Sequence, residues 1–369
     1  MNPWLLQNIL TVALLLALAL CAWLLSRRET WRIAAREIRQ KRLAMASFVV
    51  LALYGAIAVL DSVGWRRPVI NPESGEIARH SQSGKIIYDQ GASALDALLK
   101  PISGMREKTY SAPLSERQFS AVTEIGADGR AHRVRPLLNH PRRHLMGTDR
   151  VGMDVLYQGL KSIRTGMIIG LLTTLLALPF AIFFGVCAGY FGGWFDDAAQ
   201  YLCAVLSSIP SVLFIAAFMV IFGQGLPQLC LAMGIASWTG LYRLLRGETL
   251  RLRDADFVQA ATATGVPTWR ILSRHIVPNL LHIVIITTVL RFSNEVLAEA
   301  ALTYLGIGVG ADTMSWGSMI NDARTELTRD PVIWWKLTTA FTFMLGLVLP
   351  ANIFADAVRD AFDPRLRTQ

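Results

Sequence analysis

Residues 198–242 read AAQYLCAVLSSIPSVLFIAAFMVIFGQGLPQLCLAMGIASWTGLY, 45 positions without one Asp, Glu, Lys or Arg. A helix needs about 20 apolar residues to cross a bilayer. The run is therefore too long for one crossing, and Gly223, Gly225 and Pro227 supply the turn that divides it into spans near 198–222 and 226–245. Working outward, hydropathy places further spans near 5–25, 43–61, 163–189, 277–301 and 335–356, seven in all. The whole chain is 53% apolar and only 17% charged, against roughly 25% charged in a soluble protein. A net charge of +9 does not indicate a nucleic-acid binder, because such a protein carries its basic residues on a polar surface rather than between long apolar runs.

The first span is expected to be a retained helix. Its apolar core, 9–25, is long, no basic residue precedes it, and no small-residue cleavage site follows before Arg27. Cys21, Cys187, Cys203 and Cys230 all lie inside apolar runs without metal-ligand spacing, so they read as small core residues.

Basic residues in the short connections set the orientation. Segment 26–42 carries seven, 243–276 carries six and the tail after 356 carries three, against Arg324 and Arg329 on the other side. The N-terminus is expected outside and the C-terminus in the cytoplasm. The 62–162 segment then lies outside, and its length frees it from the charge rule. It is large enough for a small lobe, with a strand-like piece at 85–88.

No catalytic set is present. The chain lacks HExxH and GxSxG, and Gly84-Lys85 is followed by Ile86 with Arg79 where a phosphate loop needs its first glycine. It is not expected to be an enzyme, to hydrolyse ATP alone or to bind a metal: His80, His132, His140 and His144 read as solvated or interface residues, and His275 and His282 flank a span. Ionisable groups at membrane depth are costly and face a bundle interior. Arg291, Glu295 and Glu299 recur every four residues on one helical face, either lining a solute path or, as the favoured reading, forming helix–helix polar contacts. The pairs Gly166/Gly170 and Gly185/Gly189 permit close helix approach.

Between the fifth and sixth spans, 248–278 reads as a helix, a turn and a second helix. Asp254 or Asp256 suits the first cap, Gly265 the end, and Pro267 the next first turn. Ala260, Ala261 and Ala263 give a nearly bare face, which suits docking against another protein better than solvation.

This pattern resembles the EAA loop of ATP-binding cassette importer permeases, with Gln259, Ala260, Ala261, Gly265 and Pro278 at the motif positions, Asp256 ahead of them, and Gln259 replacing the usual Glu. Three further stretches resemble the oligopeptide and dipeptide permeases of the C type. They are Gly147-Thr148-Asp149 with Gly152 and Asp154, carrying Met153 where Arg is usual; 299–308 followed by Ser315-Trp316-Gly317; and the tail 356–365. The resemblance covers about 144–365. It implies an all-α polytopic membrane protein, a six-span type I importer permease core plus one extra N-terminal transmembrane helix and an external lobe. The expected parts are 1–42 (extra helix and basic linker), 43–61 (first core span), 62–162 (extracytoplasmic segment), 163–358 (core, with its coupling loop at 246–278) and 359–369 (cytoplasmic tail).

The resemblance also implies a function: a non-catalytic permease subunit of the inner membrane, coupling ATP hydrolysis in partner subunits to uptake of peptides or peptide-like solutes. The implied partners are a second, homologous permease forming a heterodimer, two cytoplasmic ATPase domains that hold the ATP and Mg, an extracytoplasmic solute-binding protein and the lipid bilayer. No cofactor is expected on this chain and no nucleic acid. Two alternatives stay open: a secondary transporter or solute receptor working without an ATPase through Glu295 and Glu299, and, within the importer reading, nickel or another small solute.

Overall fold

The computed structural model describes residues 29–65, 92–125, 131–310 and 312–362, with scattered positions between 8 and 27. The span expected at 5–25, Cys21 and the strand-like piece at 85–88 thus lie wholly or mostly outside the described residues.

Helix dominates. Helices α1 (Glu29–Gln40) and α2 (Arg42–Ser62) precede a short antiparallel pair, β1 (Gly64–Trp65) with β2 (Ala92–Ser93). Two single-turn helices follow, α3 (Ala94–Leu98) and α4 (Lys100–Ser103), then the antiparallel ladder β3 (Val122–Ile125) with β4 (Ala131–Val134), in register from Val122 opposite Val134 to Ile125 opposite Ala131. The remainder is α5 (Val155–Phe191), α6 (Gly193–Ser208), α7 (Ser211–Phe222), α8 (Leu226–Arg253), α9 (Asp256–Ala263), α10 (Thr268–Ile271), a π turn (Leu272–Ile276), α11 (Val277–Tyr304), α12 (Trp316–Glu326) and α13 (Trp335–Phe362).

Among the described residues, four helical stretches are long and apolar enough to cross a membrane: Arg42–Ser62, Val155–Phe191, Thr268–Tyr304 and Trp335–Phe362. The pair α6 and α7 makes a fifth if it counts as one span. The sequence reading expected a single helix over 198–222; instead the two halves meet at 85°. Proline explains the break. Pro210 has no N–H for the helical ladder, and its ring forces Ile209 into extended backbone (φ −90°, ψ 124°). The turn expected at Gly223 to Pro227 stands where the glycines put it, with α7 ending at Phe222 and α8 starting at Leu226.

The chain forms two compact units, one of Met1–Ile33, Ala52–Arg164 and Glu326–Phe343, the other of Ala34–Leu51, Thr165–Thr325 and Met344–Gln369. In the second, Ile215 and Met219 of α7 pack with Leu229, Cys230 and Met233 of α8. A separate cluster joins Ala181, Ala188, Leu241, Leu245, Val258 and Ile276. Glycine spacing makes these contacts close. A methyl on Gly166 would lie 2.8 Å from the Trp316 ring, one on Gly170 2.5 Å from Phe292, and one on Gly189 2.7 Å from the Arg246 carbonyl. Both small-residue pairs therefore seat helices of this same chain. Cys203 and Cys230 are buried and free, which matches their reading as core residues.

In the first unit, the Trp335 indole N–H donates to the Thr148 carbonyl at 3.0 Å, and Phe119 meets the Trp335 ring edge-on at 5.1 Å. Trp335 is 1% exposed, so its one polar atom is satisfied inside an apolar setting.

Candidate coupling segment and motif sites

Helix α9 forms because Val258 gives it an anchor and Gly265 gives it an end. Val258 is 1% exposed and belongs to the cluster around Leu241 and Ile276, with Ala261 packed against it. Gly265 has φ +76°; its N–H donates to the Thr262 carbonyl at 3.0 Å, and the Val266 N–H donates to the Ala261 carbonyl at 3.1 Å. That pair of bonds is a Schellman motif, which needs a left-handed residue just past the helix. The expected caps are corrected at the other end. Ala255 is the N-cap, with no side-chain bond, while Asp256 is the first helical residue and Asp254 closes α8. Pro267 likewise takes the cap position before α10 rather than its first turn.

The bare face is also narrower than the alanine pattern suggested. Ala261 turns inward, whereas Asp256, Phe257, Gln259, Ala260, Ala263 and Gly265 are exposed. Phe257 is 45% exposed, large for an aromatic ring with no partner chain over it. Gln259 donates through Nε2 to the Asp254 carbonyl at 3.3 Å. Pro278 is half-buried in the first turn of α11.

On α11, Arg291 is half-buried, Glu295 is buried and Glu299 is 1% exposed. The Thr303 hydroxyl donates to Glu299 Oε1 at 2.8 Å, and Ser315 supplies a second bond. Arg291 Nη1 has no hydrogen-bond partner among the described residues. The helix ends as α9 does: Gly306 has φ +79°, with Gly306 N–H to the Thr303 carbonyl and Ile307 N–H to the Leu302 carbonyl, both at 2.9 Å. Gly308 and Gly317 lie against Thr303, where an added methyl would come within 1.8 and 2.7 Å. The stretches 299–308 and 315–317 thus build a tightly closed helix end.

The motif at 147–154 builds the turn into α5. Thr148 Oγ1 accepts from the Ser111 N–H at 2.7 Å and donates to the Thr109 carbonyl at 2.9 Å. Asp149 Oδ1 accepts from Val151 N–H and Met153 N–H at 3.0 and 2.9 Å, while Oδ2 accepts from Gln158 at 2.7 Å. Asp154 accepts from the Tyr157 N–H at 3.2 Å, which satisfies an orphan donor of the first turn of α5. Gly147 and Gly152 have φ +67° and +73°. The side chains of Thr148, Asp149 and Asp154 therefore all have partners within the chain.

Two constellations were not found by sequence reasoning. Lys161 donates to Asp61 at 2.5 Å and to Asp96 at 3.0 Å. Burial works to raise the Asp96 carboxyl, but bonds from the Ser93 N–H, the Tyr157 hydroxyl and Lys161 outweigh it and hold the group below its usual value. The second brings Glu107, His140 and His144 together. The carboxylate of Asp154 hydrogen-bonds the His144 ring and so raises its pKa; burial opposes this, and the charges of Asp154 and Glu107 add to it. Apart from the four-residue step between His140 and His144, the linear sequence offered no signal for either cluster.

Residues 181–368 match the family of binding-protein-dependent transport system inner membrane components. The oligopeptide transport system permease protein OppC of Bacillus subtilis is 34% identical over 224 residues, covering 61% of this chain and 72% of that protein. The dipeptide transport system permease protein DppC of the same organism is 30% identical, over 61% and 69%. The glutathione transport system permease protein GsiD of Pectobacterium atrosepticum is 31% identical, over 61% and 74%. Among solved structures, an inward-facing MetNI methionine ABC transporter chain aligns with TM-score 0.43 and 15% identity, over 57% of this chain and 96% of that one. The chain belongs to the family of binding-protein-dependent transport system inner membrane components, in the branch that holds the oligopeptide and dipeptide permeases.

Proposed function

We propose that this chain is a transmembrane permease subunit that couples ATP hydrolysis in partner ATPases to the uptake of peptides or peptide-like solutes. The observation that carries the reading is helix α9, anchored by one buried side chain, Val258, and otherwise presenting a small-residue face with Phe257 beside it. A helix packed through Val258 and Ala261 on one side and carrying small residues on the other suits a groove on another protein. Its partner is a cytoplasmic ATPase, which places 246–278 and the C-terminus in the cytoplasm and the N-terminus outside, as the basic residues of the short connections favour. A second permease chain completes the pathway, and a solute-binding protein delivers cargo on the side of 62–162. This chain contributes no catalytic group; ATP and Mg belong to the ATPases. Movement of α9 passes through the π turn into α11, so that ATPase closure tilts a span directly connected to the docking helix.

Ala260→Arg tests this. The side chain is exposed, so the substitution leaves the packing of Val258 intact while filling the groove. The complex carrying it is expected to lose ATPase copurification and peptide uptake in proteoliposomes while this chain still reaches the membrane. Wild-type uptake with the ATPases attached would overturn the docking assignment.

A further inference from the structure

Three ligand atoms from separate parts of the 62–162 segment converge without a hydrogen bond between them. Glu107 Oε1 stands 3.5 Å from His140 Nδ1 and 3.5 Å from His144 Nε2, and all three atoms lie within 4.8 Å of one another. Both imidazole nitrogens are buried with no hydrogen-bond partner. The His144 side chain is 1% exposed and that of Glu107 0%. A buried nitrogen left without a partner is destabilising.

The surroundings orient each group toward that common point. His144 Nδ1 is 2.9 Å from Asp154 Oδ2, so its N–H faces that carboxylate and Nε2 faces Glu107. The Glu107 carboxylate is fixed by the backbone N–H groups of Asn139 (2.9 Å) and His140 (2.8 Å). At 3.5 Å both nitrogens stand beyond the usual N–H···O length from the Glu107 oxygen, so a proton on either ring is poorly held there, whereas one metal cation between them satisfies all three atoms.

The distances agree. Bonds of about 2.0–2.1 Å to zinc put neighbouring ligands of a tetrahedron about 3.3–3.4 Å apart, close to the two 3.5 Å separations. Two imidazoles and one carboxylate suit zinc rather than magnesium or calcium, which prefer oxygen shells. The carboxylate behind His144 is the outer-shell partner that ligating histidines ordinarily have. His140 is 36% exposed on its side chain, which leaves an entry path and room for water as a fourth ligand.

We propose that Glu107, His140 and His144 form a zinc site, with Asp154 as the positioning residue behind His144. Zinc there joins the segment after α4 to the 139–144 turn and, through Asp154, to the first turn of α5. The ion would tie Glu107 and the 139–144 turn to the 147–154 motif.

The test uses the full chain in its purified complex, prepared without chelator, with His140→Ala as the principal variant because His140 is the most exposed ligand. Metal analysis is expected to find about one zinc per complex, and cobalt(II) added after chelation to give the visible bands of a low-coordinate nitrogen and oxygen site. His140→Ala should lose the zinc and the bands, and chelation should lower the melting temperature of the wild type but not of the variant. Asp154→Asn should keep the site but weaken zinc about 10–100-fold. Absence of both bound zinc and cobalt bands from a folded wild-type complex would overturn the proposal, as would unchanged zinc content in His140→Ala.

Discussion

Gly152→Ala and Gly265→Ala make a matched pair with nearly the same backbone and different surroundings. Both glycines are left-handed, φ +73° and +76°. Placing an L-residue there costs about 1–2 kcal/mol, offset by about 0.4–1 kcal/mol from the stiffer unfolded chain. At Gly265 nothing lies within 4 Å of the added methyl, so the net cost should stay near 1 kcal/mol. At Gly152 the methyl would sit 1.8 Å from the Glu107 carbonyl oxygen and 2.4 Å from its carbon. These are backbone atoms, and the Glu107 N–H is itself bonded to the Gly152 carbonyl at 3.0 Å, so relief requires moving a strand of main chain by over an ångström. Overpacking of that kind adds at least about 1–3 kcal/mol to the dihedral term. The assay is thermal unfolding of each purified complex by fluorescence-detected size exclusion, with proteolysis near residues 107 and 152 as a local readout. Gly152→Ala should shift the melting point several times further than Gly265→Ala and open the 105–154 region to protease. Equal, small shifts for both variants would refute the close approach of Gly152 to Glu107.

Two other outcomes follow from the carboxylates of Glu299 and Asp96. Glu299→Gln retains an acceptor for Thr303 and should therefore keep uptake in reconstituted complexes, with no change in its dependence on a proton gradient; collapse of uptake with lost gradient dependence would instead support the secondary-transporter reading. Asp96 is held below its ordinary value of 3.8, so it contributes stability above that value and loses it as pH falls through the lower folded-state pKa. Protection factors at 93–98, with the intrinsic pH dependence of exchange divided out, should fall on acidification from about pH 5 to 3, and Asp96→Asn should flatten that response; an identical acid limb in the variant would refute the assignment.

The helices were legible wherever apolar runs and glycine or proline punctuation coincided. Leu226 opens α8 one residue before Pro227, and Arg42–Ser62 coincides with its charge-free run. The break at Pro210 was visible as a residue type but was hidden by continuous apolarity on both sides, since hydropathy measures burial and not backbone direction. The clusters of the 62–162 segment were beyond a linear reading for another reason. Glu107 lies 33 residues from His140, and the four-residue step from His140 to His144 falls on turns, where it carries no periodicity. Lys161 meets Asp61 across 100 residues. Such pairs are set by tertiary packing alone.

The family motifs and their partners divide the work in a way that bears on the substitution at Gln259. Thr148, Asp149, Asp154, Glu299 and Thr303 all direct their polar atoms at groups of this chain, and Gly265 and Gly306 close two helices with the same pair of backbone bonds. The motifs thus fix where helices end, which a bundle needs if its helices are to move as rigid bodies between two arrangements. What α9 presents outward is mostly uncharged: Phe257, Gln259, Ala260 and Ala263, with Asp256 the exception. If α9 docks on a partner as proposed, recognition would rest on shape and apolar contact more than on an ion pair. Gln259, bonded back to the Asp254 carbonyl, already acts within the chain. In the proposed contact, Gln in place of the usual Glu would change the charge at the rim and leave the centre, at Ala260 and Ala263, as it was.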